Sequence, residues 1–141
     1  MNMLGLKQLL RRAPFFAVVA ATLLSGQPSA PRQEPIRRTL LRQAPVAGMP
    51  GWETRTYLIE YGPGVKAPVH HHSVVGLGYV LSGTMLSGFS GETPVEYKTG
   101  ESFIDPAQQP HTVSQNASAS EPLRALIAYT VRVNEPVTIT P

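Results

Sequence analysis

Gly64-Val65-Lys66-Ala67-Pro68-Val69-His70-His71-His72 holds three of the four histidines in this chain of 141 residues. Side chains alternate along an extended strand, so His70 and His72 share one face and His71 points the other way. The fourth histidine, His111, follows Pro106-Ala107-Gln108-Gln109-Pro110, a turn-forming stretch able to lay its strand beside the first. Three neutral imidazoles meeting at one point suit iron, zinc, copper or nickel and disfavour magnesium or calcium. With no cysteine in the chain, thiolate ligands and disulfides are excluded, and a metal must be held by nitrogen and oxygen.

Working outward from these segments, the chain reads as short β-favouring runs. They are Thr39 to Gln43, Glu53 to Tyr61, Gly78 to Leu86, Val95 to Lys98, Ser102 to Ile104, Thr112 to Gln115, Leu123 to Val133 and Val137 to Thr140. Between them lie Gly62-Pro63-Gly64, Ser82-Gly83, Gly88 to Gly91, Thr99-Gly100, Pro106 to Pro110 and Asn116 to Pro122. The 14 prolines and 12 glycines agree with many short elements, and 42% hydrophobic residues suffice for one core. No long amphipathic helix is expected. Closely spaced strands predict a single all-β domain built as a closed or two-sheet barrel.

The amino terminus reads as an export signal. Lys7, Arg11 and Arg12 precede an apolar run from Ala13 to Leu24, with small or polar residues from Ser25 to Ala30. The run falls short of the roughly 20 residues of a membrane-spanning helix. The expected organisation is therefore a signal peptide or signal anchor with the start of a tether over 1–30, a proline-rich linker over 31–35, and the globular domain over 36–141. An exported, periplasmic location follows, with membrane attachment only if the signal is uncleaved. The signal holds three of the 12 Lys and Arg residues and none of the nine acids, so the rest of the chain has nine of each. That balance gives no reason to expect a nucleic-acid partner.

The histidine segments resemble the two motifs of the cupin superfamily. Gly64 to His72, continuing to Tyr79-Val80-Leu81-Ser82-Gly83, resembles the first: a glycine, five residues, His-x-His, a glutamate and a final glycine. Gly100-Glu101-Ser102-Phe103-Ile104-Asp105-Pro106 with His111 and Asn116 resembles the second. The resemblance runs from about Ile36 to Val133. It implies a single cupin barrel, a double-stranded β-helix or jelly roll, after an amino-terminal signal helix. It further implies that His70, His72 and His111 hold a divalent transition metal: iron, zinc, copper, nickel or manganese. Small cupins commonly dimerise by sharing amino-terminal strands, so Arg37 to Gln43 is the expected strand of a homodimer.

Two departures from the pattern bear on chemistry. The family glutamate falls at Gly76, so that ligand is missing, and Gln108 stands where a glycine is common before His111. Removing an anionic ligand leaves a more open site with weaker affinity. Cupins with three histidines and no glutamate include thiol dioxygenases and an acetylacetone-cleaving dioxygenase, which implies an iron-dependent oxidoreductase acting on a small molecule.

A second reading is a non-catalytic module that binds a small molecule or metal. A third is a decayed cupin without metal, and a bare run of three histidines would by itself read as a solvated surface stretch. Glu101 is the one candidate acid or base for catalysis, and it reads equally as a strand-end charge. Glu101, Asp105, Gln109 and Gln115 are candidate acceptors that orient an imidazole N–H. Asn116-Ala117-Ser118 matches a glycosylation sequon but is read as a turn.

Overall fold

The alternation that marks Leu123 to Val133 governs the architecture of the computed structural model, which describes residues 35–141. Ten strands follow in order: β1 Arg37–Pro45, β2 Trp52–Tyr61, β3 His71–His72, β4 Gly76–Ser82, β5 Thr84–Phe89, β6 Val95–Lys98, β7 Ser102–Asp105, β8 His111–Asn116, β9 Leu123–Arg132 and β10 Thr138–Ile139. The expected amino-terminal signal helix and most of the linker lie outside the described residues, within which there is no helix.

Strand β9 buries Leu123, Ala125, Ile127, Tyr129 and Val131 and turns the residues between them outward. It pairs antiparallel with β2 on one side and β4 on the other, at the centre of a five-stranded sheet ordered β1-β2-β9-β4-β7. A three-stranded sheet, β6-β5-β8, faces it, and β10 pairs with β3. Ile59, Val80, Met85 and Phe103 meet the β9 row in one hydrophobic cluster. A buried side chain of this size is worth about 1.5–3 kcal/mol, so this cluster supplies the main stabilisation. All nine residues of β1 are exposed.

The β-favouring run from Gly78 to Leu86, with its break at Ser82-Gly83, forms two strands belonging to different sheets. Gly83 separates them with φ +86, and a Cβ there would lie 2.7 Å from the Pro122 carbonyl oxygen. Only glycine accepts both constraints cheaply, so the chain crosses between sheets at this residue. The extended stretch expected at the histidines is the short strand β3, only two residues long.

Gln108 adopts φ 60, the left-handed conformation that a glycine would take without strain. Its amide N–H donates to the His72 carbonyl at 2.8 Å, and its side-chain amide donates to the Ser73 carbonyl at 3.0 Å. These bonds offset a left-handed cost of roughly 1–2 kcal/mol. The turn before His111 therefore keeps a left-handed residue without glycine and is tied to the histidine strand. Asn116 is buried, accepts from the Ser118 amide at 3.0 Å and donates to the carbonyls of Gly62 and Glu121, so the sequon is a turn as expected.

Candidate metal centre

Main-chain pairing brings the two histidine segments together. The His111 amide donates to the His70 carbonyl at 2.7 Å, and His72 on β3 pairs with Thr138 on β10. His70, His72 and His111 all point into the space between the sheets, at 8%, 1% and 3% exposure. One nitrogen from each lies within 4.8 Å of the others, an arrangement that could hold a metal ion. His71, half-buried and opposite Ile139, is outside the cluster, as the alternation predicts.

Hydrogen bonds define which nitrogens are free. A carbonyl oxygen only accepts, so the bond between His70 Nδ1 and the Pro68 carbonyl at 2.8 Å places the proton on Nδ1 and leaves Nε2 as a lone pair. His72 Nδ1 likewise donates to the Val137 carbonyl at 3.1 Å, with the Tyr129 hydroxyl alongside at 3.3 Å. His111 Nε2 bonds the Ser87 hydroxyl at 2.8 Å, and Phe89 stacks on the ring at 4.3 Å between centroids. Fixing each ring through its far nitrogen is how proteins orient metal-binding imidazoles.

Burial also favours the neutral form of two of the rings. It pulls the pKa of His111 down from 6.5 to about 4; Asp105 opposes that shift, and the other two imidazoles add to it. His70 is lowered too, again mainly by burial. Among the described residues, the buried side-chain polar atoms without a hydrogen-bond partner are His72 Nε2, His111 Nδ1 and Asp105 Oδ1. The two nitrogens belong to the histidine cluster, and the Asp105 oxygen lies 4.0 Å from His111 Nδ1. An unsatisfied buried polar group costs about 1–3 kcal/mol, so their convergence is a fit for a cation. Nitrogen donors of this kind suit a transition metal.

The rings line a cavity of about 40 Å³ whose other walls include Tyr61, Met85, Phe103 and Tyr129, with Arg38 at its edge. A wider depression of about 340 Å³ shares Arg38, Ile59, Tyr61 and His70 with it. Sequence reasoning missed Arg38, which it placed only within the strand Arg37 to Gln43, because nothing local says which way a strand residue faces a distant cavity.

The two acidic candidates take different places. Glu101 is exposed and its carboxylate accepts the Lys98 amide N–H at 2.7 Å, closing the turn before β7. It caps a strand end away from the cavity, so the structure does not bring it to the histidines. Asp105 does reach the cluster, where it lies 3.2 Å from His72 Nε2 without making a hydrogen bond to it. The orienting partners are Pro68, Val137 and Ser87. Gln109 bonds Glu92 and Ser90 on the surface.

Comparison with known proteins agrees with this architecture. The family described as Cupin domain matches residues 57–129, and the chain belongs to the cupin superfamily. TT1209 from Thermus thermophilus is 25% identical, with 72% of this chain and 89% of that one covered and a TM-score of 0.55. A cupin superfamily protein from Desulfitobacterium hafniense DCB-2 is 12% identical, covering 71% and 81%, with a TM-score of 0.53. The DMSP lyase DddQ from Ruegeria pomeroyi DSS-3 is 21% identical over 61% of this chain, with a TM-score of 0.52, and the chain spans only 42% of its length. No curated protein sequence matches the chain.

Proposed function

We propose that this cupin domain binds a divalent transition metal through His70, His72 and His111 and uses it to act on a small molecule, as an iron-dependent oxidoreductase of the dioxygenase type. The observation that carries the reading is the meeting of unpartnered, buried nitrogens at one point. Iron(II), when bound, supplies Lewis acidity and an electron source for dioxygen chemistry.

The chain's own residues do the remaining work. Pro68, Val137 and Ser87 hold the imidazoles in register, and Phe103, Met85 and Ile127 keep bulk water out. Arg38, shared by the inner cavity and the wider depression, offers a cation to an anionic group on the substrate. The cavity size favours a second reading. A water needs roughly 10–15 Å³, so about 40 Å³ takes only a few water-sized groups, as in a module that binds metal without turnover.

Elemental analysis of protein purified without chelators tests the site. Wild type is expected to carry near-stoichiometric metal, and His70→Ala and His111→Ala to lose most of it. Equal metal in all three would sink the proposal. Oxygen uptake that tracks iron content across a panel of small organic anions separates the enzyme from the binding module, whose metal-loaded form stays silent.

A further inference from the structure

Asp105 ends β7 directly opposite Gly76 of β4, and only 5% of it is exposed. Its two oxygens address two of the three imidazoles: Oδ2 lies 3.2 Å from His72 Nε2 and Oδ1 lies 4.0 Å from His111 Nδ1. His72 has already committed its Nδ1 proton to the Val137 carbonyl, so its Nε2 presents a lone pair to the carboxylate. Two lone pairs at that separation repel unless a proton or a metal ion lies between them. Adjacent donors on one ion, each at about 2.1 Å, stand roughly 3.0–3.4 Å apart in octahedral or tetrahedral geometry. The observed 3.2 Å falls inside that range.

No arginine or lysine accounts for this charge. Arg38 lines the same cavity, but its Nη1 donates to the Thr138 hydroxyl, and no Arg or Lys among the described residues pairs with Asp105. Nor can β4 supply a ligand at this level. A Cβ on Gly76 would sit 2.6 Å from Tyr129 Cε1 and 2.9 Å from Ile127 Cδ1, so the Tyr129 ring fills that space. Asp105 is the acidic residue that lines the cavity.

We propose that Asp105 is a fourth protein ligand, giving a centre of three histidines and one aspartate; the inference rests on the metal-binding reading above. The carboxylate lowers the charge of the centre by one relative to histidines alone. It adds a hard oxygen donor, which favours manganese and iron among the candidate ions. It also leaves two open positions on a six-coordinate ion instead of three, which narrows the ways a substrate can bind.

Cobalt(II) is the probe. The chain has no cysteine, so in Asp105→Cys any thiolate-to-cobalt charge-transfer absorption must come from position 105. That band is expected in Asp105→Cys and absent from wild type, while Asp105→Asn is expected to bind cobalt roughly tenfold or more weakly. Melting curves in chelator check that each variant folds, and if Asp105→Cys does not fold, the Asp105→Asn affinity decides. Stoichiometric cobalt in Asp105→Cys without the band, or an Asp105→Asn affinity indistinguishable from wild type, overturns the ligand role and leaves the histidine site standing. Equal cobalt uptake by wild type and His111→Ala overturns the metal reading itself, and the inference with it.

Discussion

Glu53 and Asp105 are carboxylates of the same five-stranded sheet, each 5% exposed, and their neighbours treat them in opposite ways. Glu53 receives the Gln43 side-chain amide at 2.5 Å and two nitrogens of Arg55 at 2.6 Å. Arg55 spends a further nitrogen on the Glu135 carbonyl at 2.7 Å. Asp105 has no such partners and looks instead at two bare imidazole nitrogens. Burial of a charge is therefore not in itself a sign of function. A network with every donor matched fixes structure, and one with unmet atoms at a single point is poised for a ligand.

The largest effect that can break this contrast comes from Glu53→Ala. It strands the Arg55 guanidinium, whose side chain is 11% exposed, and such a loss costs about 3–5 kcal/mol. The melting temperature should drop by more than about 10 °C, with the metal content of the folded protein unchanged. In chelator-treated protein Asp105→Asn should cost little or raise stability, since it removes an unmatched charge. If both variants are equally destabilised without metal, the two carboxylates do the same job.

A smaller effect comes from acid. The folded pKa of His111 is about 4, against 6.5 for an exposed histidine. Between those values the unfolded chain takes a proton that the folded one refuses, so stability falls as pH drops through the window and is restored above 6.5. The slope for this residue approaches about 1.4 kcal/mol per pH unit. Urea midpoints of metal-free protein across this range would show it. A slope that persists unchanged in His111→Gln would assign it to another group.

The smallest effect sharpens the comparison. Ser87→Ala deletes the bond to His111 Nε2 at a stability cost of about 1 kcal/mol, and should weaken metal binding by about tenfold. Isothermal titration alongside a thermal melt separates the two losses. A stability loss with unaltered affinity would make Ser87 a packing residue alone.

Much of the site was legible in the chain. The spacing of His70 and His72 guarantees a shared face wherever the backbone is extended, and the turn before His111 announces a returning strand. Gly83, Gly100 and the alternation of Leu123 to Val133 mark the strands and their breaks. Asp105 was visible only as a possible acceptor. Its relation to the unprotonated side of His72 depends on the carbonyl of Val137, 65 residues away in sequence. Glu101 stayed ambiguous because a strand-end acid that caps a turn and one that enters a cavity look alike in sequence.

Local chemistry thus settles period, turn position and donor type: alternation of two comes from the pleat, and a left-handed turn from the residues able to adopt it. Which strand lies beside which depends on packing between segments far apart in the chain. Only the folded sheets set Asp105 opposite Gly76, let the Tyr129 ring occupy the space above that glycine and bring Arg38 to the rim. The side-chain period is two, so one residue of slip in any of those pairings would turn the carboxylate or an imidazole out of the cavity. The ligand types are thus written along the chain, and their meeting point is a property of register.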